Sequence, residues 1–66
     1  MLVERTRWHP SAERRRAWVD VEGMSGVREL GEGEAVGALV VKEIRPSSVV
    51  FLHGADTLTR RVGARE

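Results

Sequence analysis

Apolar and polar residues alternate with a period of two along much of the chain. From Arg15 to Gly23 the order R-R-A-W-V-D-V-E-G puts Ala17, Val19 and Val21 on one side and Arg16, Trp18, Asp20 and Glu22 on the other. That is the signature of a strand with one buried face. Upstream, Leu2, Glu4, Thr6 and Trp8 alternate with Val3, Arg5 and Arg7, which predicts a first strand. Between the two, Pro10 and Ser11 offer a start for a single helical turn that Glu13 supports. A helix from Ser11 through Trp18 is the rival, since these residues are good helix formers. Against it, Val19, Asp20 and Val21 have to be extended immediately afterwards.

Downstream, Gly23 and Gly26 bracket a turn before the short return V-R-E-L over 27–30. Gly31, Gly33 and Gly37 lie within seven residues, too flexible for a helix and too poor in side chains for a central strand, so a loop is expected there. The extended pattern resumes over 38–44, and the adjacent Val40 and Val41 imply that its inward face switches through a bulge. Pro46 fixes the second position of a reversal over 45–48, and 49–53 returns. Val41, Ile44, Val49 and either Phe51 or Leu52 supply the packing of this hairpin. A tight turn at 54–56 leads to a last strand over 57–62, with Leu58 and Val62 inward and Thr57, Thr59 and Arg61 outward.

Short strands joined by glycine and proline turns predict an all-β fold, a small antiparallel sandwich or half-open barrel of four to six strands. One short helical turn fits near 11–15. At 66 residues the chain is one domain, and a domain of about this length buries only about 60% of the surface its unfolded form exposes. With no cysteine and only two histidines, His9 and His53, a closed structural zinc site is not expected, nor is any cofactor or metal. Eleven Lys and Arg against ten Asp and Glu leave a net charge of +1, so no general field draws in nucleic acid or an anionic membrane. No apolar run approaches the roughly 20 residues of a membrane span, and the first ten residues lack the apolar core of a secretory signal.

Several constellations invite a chemical reading. The loop G-E-G-E-A-V-G over 31–37 resembles a phosphate-binding glycine loop, but Val36 stands where its third glycine belongs, and Glu32 and Glu34 would repel phosphate. Asp56 lies three residues after His53, with Ser47 and Ser48 just upstream. A hydrolase triad also needs a rigid nucleophile and an oxyanion hole in a pocket, and a core this thin has little room for one. No catalytic residue is therefore assigned and the chain is read as a non-enzyme. The clusters Arg14–Arg16 and Arg60–Arg61, with Trp8 and Trp18 as stacking platforms, suggest a small nucleic-acid-binding β-barrel as the alternative. Glu13, Asp20, Glu22 and Glu29 interleave with those arginines and favour a charge-balanced, solvated face. The two indoles are expected to cap the open ends of the sandwich. What an open sheet offers without special side chains is its edge, to which a partner strand can add. The expected docking edge is the first strand: Val3, Glu4, Arg5, Thr6 and Arg7.

The order W-H-P-S-A-E-R-R-R-A-W-V-D-V, then V-R-E-L-G-E-G-E, then L-V-V-K-E-I-R-P-S-S-V-V-F-L-H-G resembles the carboxy-terminal periplasmic domain of the type II secretion assembly protein B. More distantly it is similar to the homology region of secretion protein C and the pilus-assembly lipoprotein P domain. Gly33 and Glu34 match the glycine-acid loop of that pattern, although Leu30 stands near its usual aromatic and glutamate replaces its aspartate. Val41, Ile44, Pro46, Val49, Leu52 and Gly54 match the hairpin, and Leu58 the closing strand. The resemblance runs from about Thr6 to Val62. It implies a periplasmic β-sandwich domain, excised from a longer protein whose tether to the inner membrane is absent from this chain. Its implied partner is the secretin channel or an inner-membrane assembly component, with a homodimer left open. The matching positions are core and turn positions, so the resemblance transfers no binding residue.

Overall fold

Seven strands form among the residues described by the computed structural model, 1–23 and 25–64. They are β1 (Leu2–Arg7), β2 (Arg16–Asp20), β3 (Val27–Leu30), β4 (Ala35–Val36), β5 (Leu39–Ile44), β6 (Ser48–His53) and β7 (Asp56–Arg61). A single 3-10 turn, Ala12–Arg14, precedes β2, so the expected helical turn is present and the longer helix to Trp18 is not. The strands make two antiparallel sheets in the orders β1-β2-β3 and β4-β5-β6-β7. The all-β expectation holds, with one more strand than expected. The extra element is two-residue β4, inside what the glycine spacing predicts to be loop. Ala35 and Val36 are extended there because β5 offers them an edge, with Ala35 opposite Val40 and Val36 opposite Leu39.

Facing side chains of the two sheets form the core. Val3, Ala17, Val19, Leu30, Val36, Val41, Ile44, Val49 and Phe51 are buried together, with Val21, Leu39 and Leu58 packed against them. Of Phe51 and Leu52, it is Phe51 that joins Val49 in the core from β6. Val62 differs from expectation. It lies past the end of β7 and is 36% exposed. Its N–H extends the β6–β7 register by one more pair, donating to Ser47 C=O, and the next N–H, of Gly63, leaves that ladder to donate to Val3 C=O of β1.

Two bulges decide which residues reach the core. In β5 the register passes from Val41 opposite Phe51 to Glu43 opposite Val50, so Lys42 is the extra residue. Strict alternation would put Val41 and Ile44 on opposite faces; the extra residue lets both point inward. The bulge predicted from Val40 and Val41 is present, one residue later. In β1 the register passes from Val3 opposite Val19 to Arg5 opposite Trp18, which makes Glu4 the extra residue. The simple alternation over 2–8 is corrected here. Val3 is fully buried, Arg5 and Arg7 face solvent, and half-buried Thr6 turns inward to donate its hydroxyl to Pro46 C=O at 2.8 Å.

The β6–β7 hairpin closes through the two residues between His53 and Asp56. Gly54 takes φ +63° at the first of them, the position for which a type II′ turn requires glycine. The turn expected between Gly23 and Gly26 includes Met24, which lies outside the described residues.

With so few side chains holding the sheets together, small losses of volume should register. Ile44→Val should lower the unfolding free energy by about 0.5–1.5 kcal/mol with an unchanged denaturant slope, and Phe51→Ala by about 3–5 kcal/mol, near the total for a domain of this size. Urea titration followed by tryptophan fluorescence checks both.

Candidate functional site

The chain crosses from one sheet to the other through Gly31–Glu34, and this loop runs along the free edge of β5. Gly33 N–H donates to Val41 C=O at 2.7 Å, and Val41 N–H donates to Glu34 C=O at 2.8 Å. Beyond the bulge the loop backbone no longer follows the strand. There Ile44 N–H donates to the Glu32 carboxylate at 2.8 Å instead. Glu34 serves the loop itself, accepting the Gly31 N–H at 2.6 Å, while Glu34 N–H donates to Gly31 C=O at 3.2 Å. The backbone donors of Gly31, Gly33 and Glu34 are thus all engaged internally, and the loop presents no cradle of free N–H groups to a phosphate.

Arginines from the start of β2 neutralise these two carboxylates. Arg15 binds Glu32 at 3.1 Å, with side-chain exposures of only 16% and 17%. It also donates to the carbonyls of His9 at 2.6 Å and Pro10 at 3.2 Å, and lies over the Trp8 ring at 5.0 Å. Arg16 reaches Glu34 at 3.0 Å and Glu29 at 3.6 Å. A Cβ at Gly31 would stand 2.9 Å from Arg16 Nη1 and 3.0 Å from Glu34 Oε1, so a larger residue there would displace the ends of this ion pair. His9 is equally local in its role, with Nδ1 accepting the Ser11 N–H at 2.9 Å, while the Ser11 hydroxyl makes no capping bond.

The outer face of the three-stranded sheet carries the remaining arginines. Trp18 lies half-buried between Arg5 of β1 and Glu29 of β3, and the Arg5 guanidinium stacks on its ring at 4.1 Å. Trp18 therefore sits mid-sheet under a cation and does not cap an open end; Trp8, 45% exposed, follows β1. Beside Trp18 a groove of about 480 Å³ is lined by Arg7, His9, Glu13, Arg14, Arg16 and Glu29. Among the described residues no hydrogen bond or ion pair engages the guanidinium of Arg5, Arg7 or Arg14.

The five residues of the expected docking edge occupy distinct positions. Val3 is in the core and its C=O is taken by Gly63. Glu4 is the bulge, Thr6 turns toward Pro46, and Arg5 and Arg7 project outward. β1 is hydrogen-bonded as a strand to β2 alone. His53 and Asp56 face each other across the β6–β7 hairpin and line a shallow, largely apolar depression with Leu39 and Leu58. Ser48 begins β6 and His53 ends it, five residues and roughly 16 Å apart along the strand, so the residues of the imagined triad do not converge. Among the described residues no three His, Asp or Glu side chains cluster as metal ligands. The two arginine runs belong to different sheets, Arg14–Arg16 at the entry to β2 and Arg60–Arg61 at the end of β7.

Sequence reasoning missed the Arg15–Glu32 clasp, which joins residues 17 apart, and the Arg5–Trp18 stack. The clasp has no local signal. The stack follows from the β1–β2 register, which the glutamate bulge shifts.

Replacing Glu32 separates its two duties. Glu32→Ala leaves the Ile44 N–H without its acceptor and should cost about 1–3 kcal/mol of stability, with faster hydrogen exchange at the Ile44 amide. Glu32→Gln retains an acceptor and should lose less. Equal losses would mean that the charge on Glu32, and not its acceptance of the backbone donor, holds the loop.

Comparison with protein-family models, with curated proteins and with solved structures finds no match to this chain.

Proposed function

We propose that this chain is a non-catalytic protein-interaction domain that adds a partner strand to β1, as an adaptor or assembly module of a type II secretion or type IV pilus-like system. The observation that carries the reading is the state of β1: six residues long, paired as a strand to β2 only, with Arg5 and Arg7 on its solvent face. An unpaired strand edge binds through backbone donors and acceptors and needs no specialised pocket. The bulge at Glu4 and the Gly63 bond to Val3 narrow the available edge to its second half, Arg5–Arg7. Resemblance of the 6–62 segment to the periplasmic domain of secretion assembly protein B supplies the system and the partner class, a secretin or an inner-membrane assembly component. It also supplies the periplasmic location.

The nucleic-acid alternative loses support from the same geometry. Arg15 and Arg16 are committed to Glu32 and to Glu34 with Glu29, and the accessible face of Trp18 is occupied by Arg5. Base stacking requires such a face to be open.

Hydrogen exchange of the intact chain, mixed with the periplasmic amino-terminal domains of a secretin from the same genome, tests the proposal. Slowed exchange confined to Arg5–Arg7 is the expected result. Protection at β7 instead overturns the β1 assignment, and no binding overturns the secretin as partner. A labelled single strand titrated at two salt concentrations should bind weakly and with little salt dependence; a steep dependence would reinstate the nucleic-acid reading.

A further inference from the structure

We infer that the strand docking on β1, with β1 as the edge proposed above, carries carboxylates at alternate positions that lie against Arg5 and Arg7. The two arginines are separated by one residue and face the same side of the sheet, opposite Trp18 and Arg16 in the β1–β2 register. An added strand runs about 4.8 Å away, and its own outward side chains repeat every second residue, so two of them stand beside Arg5 and Arg7.

Those positions favour acids for three reasons. Arg7 is directly opposite Arg16, a like-charge pair that is unfavourable across a ladder. Arg16 is relieved by Glu29 and Glu34, whereas Arg7 has no carboxylate of its own among the described residues. The Arg5 guanidinium carbon lies over the Trp18 ring at 4.1 Å, and its N–H donors, unengaged among the described residues, are available to a bidentate acceptor. Arg14, also without a partner among the described residues, extends the positive surface into the adjoining groove. Glu13 and Glu29 line that same groove, which suits discrete carboxylates placed beside the arginines better than a continuous run of phosphates.

Two extended peptides of equal length, one alternating glutamate with valine and the other lysine with valine, titrated into the intact chain and followed by amide and indole NMR shifts, test this inference. The glutamate peptide should move the Arg5–Arg7 amides and the Trp18 indole signal and bind roughly threefold to tenfold more tightly, an advantage that shrinks with added salt. The double variant Arg5→Glu, Arg7→Glu should prefer the lysine peptide. Should it fail to fold, Arg7→Gln alone should reduce the preference. Equal movement of the Arg5–Arg7 amides by both peptides overturns the acidic preference while leaving β1 docking intact. Shifts at Trp18 and Arg14 without any at the β1 amides overturn strand addition, and no shift with either peptide overturns both.

Discussion

The backbone N–H of Ile44 is the group around which the domain is arranged. The extra residue Lys42 turns both Val41 and Ile44 into the core, and beyond it the loop backbone that pairs with Val41 has diverged. A backbone donor in a largely buried setting needs an acceptor, and Glu32 reaches in to provide one. The carboxylate brings its charge with it, and Arg15 answers that charge. Arg15 in turn gathers the carbonyls of His9 and Pro10 and rests on Trp8, which fixes the path of the chain from β1 to β2. A packing requirement of two apolar side chains is thereby passed on, bond by bond, to a loop and a turn belonging to the other sheet.

The same chain of dependence divides the arginines by role. Three consecutive residues, Arg14–Arg16, read in sequence as one basic patch. In the folded chain Arg15 is largely enclosed and engaged through three hydrogen bonds, Arg16 is shared between two glutamates, and of the three only Arg14 has no partner among the described residues. On the outer face of the three-stranded sheet, Arg5 and Arg7 of β1 add two exposed cations beside Arg14. One edge is closed by an acidic loop while another is left open under arginines, an asymmetry that gives the domain a directional surface despite a net charge of only +1.

Strand placement was largely legible, because alternation around Ala17 and Val19 and the turn signals at Pro46 and Gly54 are local properties of the sequence. The residues most poorly read were those whose orientation depends on a bulge. Alternation groups Val3 with Arg5, yet one is core and the other solvent-facing, since Glu4 drops out of the ladder. β4 was hidden for a different reason: Ala35 and Val36 extend because a neighbouring edge receives them, not because of their own preference. The structural work of the glycine-acid loop depends on partners in β2 and β5 that spacing does not reveal.

The bond from Gly63 to Val3 has a topological consequence. It brings the two extremities of the described chain to one corner, so the path of the polypeptide is nearly a closed ring. A lead attached at either extremity would meet the fold at that corner. Pulling on both leads at once would then load a single point of attachment and spare the interior of both sheets.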